Sequence, residues 1–461
     1  MSELNSKSDT VKVRPKGPLT EGPLPGHILR IALPMSIGYL FNTMYNIVDS
    51  FYAGRISTEA LAAMALSFPV FFIIIALSEG ISRGATALIA NSIGEGNREK
   101  EGDYTGMLFS FGGVIALILM VVGVFGVEPL YRMMGASGSY LQLATDYMHP
   151  IFWGSSTFIL SSMLNAILLA HGDSKTFGKV LVAGFFLNLI LDPWFMYGGF
   201  GLPAMGITGI ALATVLIQVL GCVYLLRAVI KRGYFKDCSA NFLKPKLRIY
   251  GEILKQGLPT AFNMMSMALG FFVITYYLNS YGEIVVAAFG VGTRIEQIVL
   301  LPAIGIGAAI ISIVGQNNGA EKMDRVQECV RLCAKYGLIL IVTSSALMFI
   351  FATPLVRIFT DDPEVIKVGS TYVRIITVVQ WAYVMGFIFI GFLQAVKRPM
   401  YGLIESVTRK VILPSILFYF IVRVWQVELN TFWWSLVILN TSIAFITITY
   451  GRHVLKKMTQ L

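Results

Sequence analysis

Apolar runs separated by short polar, glycine- or proline-containing breaks succeed one another from residue 28 to residue 455. Read for length and helical periodicity, they predict twelve helices at 28–53, 60–93, 104–127, 139–170, 177–197, 206–230, 253–280, 284–316, 328–352, 364–395, 400–423 and 431–455. About 20 apolar residues cross a bilayer, so every run qualifies and the longest must tilt, kink or project beyond the lipid. Composition agrees: 56% of the 461 residues are hydrophobic and 13% charged, where a soluble chain carries ~25% charged. Soluble enzymes, nucleic-acid binders and disordered hubs are excluded. The polar stretch 1–27 contains Pro15, Pro18, Pro23 and Pro25 and lacks the apolar core of a cleaved signal peptide. It reads as a solvated tail.

The formal charge of +10 matters through its placement. With both termini cytoplasmic, inner loops and flanks hold 28 of the 36 Lys and Arg residues, among them Arg98, Lys100, the group from Arg227 to Lys255, Lys397, Arg398, Arg409 and Lys410. Outer loops and flanks hold Arg55, Arg132, Arg357, Lys367, Arg374 and Arg423, with Arg83 and Arg294 at membrane depth. The positive-inside rule predicts a multi-pass plasma-membrane protein, in the inner membrane of a bacterium, with both ends cytoplasmic. Its basic loops lie beside anionic lipid rather than on nucleic acid. Cys222, Cys238, Cys329 and Cys333 then face the reducing side, where no disulfide is expected.

Sliding the chain along itself by 225 residues superposes Ile28, Leu33 and Pro34 on Ile253, Leu258 and Pro259. The same shift takes Gly94 to Gly319, Pro129 to Pro354, Tyr147 to Tyr372 and Ala170 to Ala395. An ungapped offset of this length is a duplication. The domains read as a tail 1–27, a first six-helix lobe 28–230, a basic linker 231–252, a second lobe 253–455 and a tail 456–461. The fold expected is an all-α integral membrane protein of twelve helices in two pseudo-symmetric bundles. An even number of spans per repeat gives both copies the same orientation, the layout of alternating-access transporters with substrate between lobes.

The repeats differ where polar groups lie deepest. Asp49 matches Ile274, Asn188 matches Leu413, Asp192 matches Leu417, Asn165 matches Ile390, Asn42 matches Met267 and Tyr45 matches Gly270. A carboxylate at membrane depth is costly unless partnered or protonated, which makes Asp49 a functional candidate. Asn42, Tyr45 and Asn46 share its helix face, Asn188 and Asp192 share a face of the fifth span, and Asn165 and Thr214 complete a polar cluster. Two adjacent buried carboxylates cannot both ionise cheaply, so such a cluster can exchange H⁺ or Na⁺ for a cationic substrate. Asp49, Asn188 and Asp192 are the ligands expected for Na⁺. Pro34, about 22 Å before Asp49 along the helix, interrupts the backbone bonding and is a candidate hinge. Glu296 is a candidate second-lobe cation site, while Glu79 and Arg83 are spaced for an intrahelical pair. Asp361-Asp362 before Pro363 reads as a turn. Walker and zinc-protease signatures are absent.

These features resemble the multidrug and toxic compound extrusion family. The likeness spans residues 28–455 and rests on the two six-helix repeats, the Gly-Gln-Asn-Asn-Gly-Ala run at 315–320, the turn at Ala53-Gly54, and Asp49. Within the family the chain is similar to the branch of the DNA-damage-inducible F protein and its archaeal relatives, which has an aspartate preceded by tyrosine four residues earlier, matched by Asp49 and Tyr45. That branch also has Asn-x-x-x-Asp on the fifth span, matched by Asn188 and Asp192, and a threonine on the sixth, matched by Thr214. It typically has glutamine where this chain has Asn42, and the helix-10 acid of another branch has no counterpart here. The resemblance implies export of varied, often cationic amphipathic compounds by a monomer that is not an enzyme and needs no cofactor beyond H⁺ or Na⁺. Asp49, Asn188, Asp192 and Thr214 are expected to couple the ion, and Asn42, Tyr45 and Asn165 to meet small organic substrates. A flippase for lipid or lipid-linked saccharide is the alternative; its diphosphate would call for cationic side chains in the cavity.

Overall fold

The computed structural model describes residues 18–238 and 245–460; residues 1–17 of the expected tail, 239–244 of the expected linker, with Lys244, and residue 461 lie outside the described residues. The first half is built from α1 (Leu24–Ile56), α2 (Thr58–Glu95), α3 (Arg98–Met133), α4 (Gly138–Trp153), α5 (Ser155–Ala170), α6 (Lys175–Tyr197) and α7 (Gly206–Lys231). The second comprises α8 (Leu247–Leu278), α9 (Glu283–Gly319), α10 (Met323–Ile350), α11 (Ala352–Arg357), α12 (Pro363–Ile376), α13 (Gln380–Ala395), α14 (Met400–Val407), α15 (Leu413–Phe418) and α16 (Leu429–Thr459). Among the described residues the only extended pairing is an isolated bridge between Gly199 and Leu202.

A helix stands at each of the twelve expected positions, and three of these are broken. The fourth is α4 plus α5, bent by 47° at Gly154, just after Pro150, and the tenth is α12 plus α13, bent by 51°. The eleventh runs from α14 to α15 through a π-helical turn at Thr408–Ile412 and continues into another at Tyr419–Val424. Pro414 has no N–H to offer the carbonyl of Lys410, and the widened turn before it accommodates that missing bond. Eight single helices and the two bent pairs are long and apolar enough to cross a membrane. The exceptions are α1, with its Asn42-to-Asp49 polar run, and the interrupted eleventh pass, which carries Arg409 and Lys410.

Helix ends follow local chemistry. Ser57 caps α2 by accepting the Ala60 N–H at 2.9 Å. Asp362 caps α12 by accepting from Glu364 and Val365, so Asp361-Asp362, expected as a turn, is the extended lead into that helix.

The two halves meet through reciprocal contacts separated by the same 225 residues. A Cβ on Gly94 would overlap the carbonyl of Gln316, and one on Gly319 would overlap that of Asn91. Only glycine permits so close an approach of the two backbones. Asn91 Nδ2 donates to the Ala395 carbonyl at 2.9 Å, and Gln316 Nε2 donates to the Ala170 carbonyl at 2.7 Å. Nearer the membrane centre, Gly80 packs on Ala261 and Gly305 on Ser36. Each contact is the pseudo-symmetric copy of the other, as a two-fold interface requires. The N-terminal strand of chain joins this seam: Leu19 N–H donates to Gln316 Oε1 at 3.0 Å, and Asn317 Nδ2 donates to the Leu19 carbonyl at 3.1 Å. Among the described residues, every hydrogen bond between the halves lies at this end, where α1 and α8 begin and α2 and α9 finish.

Candidate functional site

Asp49 lies about 20 Å along α1 beyond Ser36, toward the end where no hydrogen bond joins the halves. Small residues bring α6 against α1: a Cβ on Gly178 would sit 2.7 Å from the Pro34 carbonyl, and one on Gly38 would sit 3.2 Å from the Gly178 Cα. This close packing aligns the polar faces of both helices. Asn188 Nδ2 donates to Asp49 Oδ1 at 2.8 Å. Asp192, one turn further on α6, turns its carboxyl to that of Asp49. Both Asp192 oxygens and Asn188 Oδ1 are buried with no donor directed at them. Among the described residues no Lys, Arg or His pairs with either aspartate, although Asp49 is 5% and Asp192 0% exposed.

This group of acceptors without donors calls for a cation. A proton shared by the carboxyls would satisfy one orphan acceptor; Na⁺ would suit carboxylate and amide oxygens. The donor set fits a hard monovalent ion, since no cluster of three or more His, Cys, Asp or Glu side chains exists among the described residues to hold a transition metal.

The other expected residues divide. Tyr45 donates its hydroxyl to Thr214 Oγ1 at 2.9 Å, tying α1 to α7 beside the aspartates, so Thr214 is not spent on its own helix. Asn42 is half-buried one turn below Tyr45, whereas Asn46 is exposed and donates to the Asn42 carbonyl, away from Asp49. Asn165 is buried on α5, its Oδ1 without a donor, and no hydrogen bond among the described residues links it to the pair. Pro34 lies inside a continuous α1 with its carbonyl against Gly178. Glu79 and Arg83 approach to 3.8 Å as an intrahelical pair. Glu296 accepts from the Tyr372 hydroxyl at 3.2 Å, while Arg294 is exposed and leaves Glu296 to that phenol.

Two features escaped the sequence reading. Tyr147, buried on α4, lies close enough to sense both aspartates; its match to Tyr372 was the available signal, because each tyrosine stands beside the acid of its own half. Arg409 and Lys410 were placed on an inner flank. They lie inside the second bundle instead, about 15 Å along the pass from Met400, because the helix begins where expected and continues through them, with Glu405 and Asn440 taking up the Arg409 guanidinium.

A family model described as MatE matches residues 34–194 and again 259–421. The chain is 30% identical over 361 residues to "Probable multidrug resistance protein NorM" of Thermotoga maritima, covering 77% of this chain and 76% of that one. It is 28% identical over 400 residues to "FAD transporter" of Shewanella oneidensis, covering 86% and 87%. A solved structure described as an outward-facing conformation of a multidrug resistance MATE family transporter of the MOP superfamily aligns with TM-score 0.90 and 25% identity over 98% of this chain and 100% of that one. With both repeats matched by the family model, the chain belongs to the MatE family of multi-pass membrane transporters and is not an enzyme.

Proposed function

We propose that the protein is a cation-coupled antiporter that exports amphipathic, often cationic compounds by alternating access, with Asp49 and Asp192 as the coupling pair. The observation that carries this reading is the buried carboxylate pair, with Asn188 donating to Asp49 and no cationic side chain beside either acid. With both termini cytoplasmic, the seam closes the cytoplasmic end and the aspartates lie toward the outward-open half. An ion entering from outside neutralises the pair and releases a cationic substrate; loss of the ion inside restores the charge. Asp49, Asn188 and Asp192 hold the ion, Thr214 steadies Tyr45, and Asn42, Tyr45 and Asn165 contact the substrate. Pro34, with its missing backbone bond, lets the outer part of α1 swing between the two states. One charge moving down 100 mV supplies ~2.3 kcal/mol, enough for roughly fifty-fold accumulation.

Reconstituted liposomes loaded with rhodamine 6G test this reading. Efflux should follow an imposed pH gradient or Na⁺ gradient, which identifies the ion, and should fall to the leak of empty liposomes in Asp49→Asn and Asp192→Asn. Gradient-driven efflux surviving in both variants would remove the pair from the mechanism.

A further inference from the structure

The eleventh pass carries basic side chains into the interior of the second half. Arg409 is held on three sides: Nε donates to Glu405 Oε1 at 2.6 Å, Nη1 donates to Asn440 Oδ1 at 3.0 Å, and the guanidinium carbon lies 5.7 Å from the Tyr383 ring centroid. Glu405 gives Oε1 to Arg409, while its Oε2 is buried with no donor directed at it. Lys410 has one weak bond, from Nζ to the Asn263 carbonyl at 3.5 Å, and no carboxylate within ion-pair distance among the described residues. Around Lys410, between α8, α13, α14 and α16, one acid stands against two bases; Glu296, the other acid of this interior, faces the Tyr372 hydroxyl. Holding an ammonium at this depth without a counter-ion is costly, and side chains so placed usually serve binding.

Local backbone supports the same conclusion. Both bases lie in the π-helical turn Thr408–Ile412, whereas their counterparts at the 225-residue offset, Gly184 and Phe185, lie in the unbroken α6. Phe185 fills its position by packing on Phe41. Opposite Lys410 stands Gly270, where a Cβ would come within 2.8 Å of the Lys410 Cβ; the first half has Tyr45 at that position. The second half has therefore given up an aromatic residue and a regular helical turn where Lys410 enters the bundle. Pro414 imposes this widened turn, and both bases are carried on it.

We propose that Lys410, positioned by the Arg409–Glu405–Asn440 network, binds an anionic group, a carboxylate, sulfonate or phosphate, on an amphipathic compound carried by this transporter. The proposal rests on the exporter reading and extends its substrates from cationic to anionic and zwitterionic ones. The two interiors then act as paired sites of opposite sign, the aspartates for a cationic centre and Lys410 for an anionic one.

Two xanthene dyes of similar shape and opposite charge separate the sites. Fluorescence anisotropy of carboxyfluorescein with the protein in nanodiscs should show saturable binding that weakens at least tenfold in Lys410→Ala and recovers in Lys410→Arg. Rhodamine 6G binding, measured on the same preparations, should be unchanged in Lys410→Ala, which also certifies its fold, and should weaken in Asp49→Asn. Carboxyfluorescein binding equal in wild type and Lys410→Ala, or no saturable carboxyfluorescein binding at all, overturns the proposal. Rhodamine 6G binding that persists in either case leaves the exporter reading standing.

Discussion

At matching depths the first half presents Asp49, Asn188 and Asp192, and the second presents Ile274, Leu413 and Leu417. Beside them the second half places Glu296 against a phenol and sets Arg409 and Lys410 one to two turns nearer the seam. The frame is the same in both: the reciprocal pairs Gly94/Gln316 and Gly319/Asn91, Asn91/Ala395 and Gln316/Ala170 obey one offset. Duplication has preserved the surface through which the halves meet and let their interiors diverge. On the proposed alternating-access reading, symmetry at the seam would serve the conformational change, and asymmetry inside would assign ion and substrate to different places. A duplication kept only for stability would have no reason to strand acceptors without donors in one copy and a lysine without a carboxylate partner in the other.

Moving the polarity across the pseudo-symmetry gives the largest expected effect. Ile274→Asp puts a carboxylate in the second half without the amide that Leu413 lacks, and should cost about 3 kcal/mol, read as a lower melting temperature. Ile274→Asp combined with Leu413→Asn should recover part of that loss, and neither variant should restore efflux to Asp49→Asn. A single Ile274→Asp as stable as wild type would show that the second interior tolerates an acid and that the contrast is accidental.

The seam should respond with smaller, matched losses. Gly94→Val and Gly319→Val each drive a side chain into a facing carbonyl, and each should destabilise by about 2 kcal/mol. Asn91→Ala and Gln316→Ala each remove one bond of the matched pair to Ala395 or Ala170, together with the bond accepted from Asn318 or from Leu19, and should each cost about 2 kcal/mol. Unequal losses within either pair would mean that the seam is not functionally two-fold.

Much of the frame was legible in the sequence because bilayer thickness fixes helix length and the repeat fixes pairing. Span number, the offset and the Asp49–Asn188–Asp192 grouping needed only periodicity and cost of burial. The breaks were harder: Gly154 and Pro414 bend or widen helices that apolar content alone leaves uninterrupted. Counting Arg409 and Lys410 with the inner flank follows the habit of basic residues at membrane surfaces, although both already fall about ten residues inside the expected span 400–423, where the helix indeed begins at Met400. Asn46 illustrates the limit of spacing, as it is near the face of Asp49 yet spends its amide on the Asn42 carbonyl.

The central claim is that ion coupling resides in the first half alone. The most direct test is ion displacement by substrate: purified protein in weakly buffered detergent solution, with a pH indicator and in parallel ²²Na⁺ retention, is titrated with rhodamine 6G. Wild type and Glu296→Gln should release the same amount of H⁺ or Na⁺ per dye bound, and Asp49→Asn should release none. Release abolished by Glu296→Gln and retained by Asp49→Asn would contradict the account and move the coupling site to the second half.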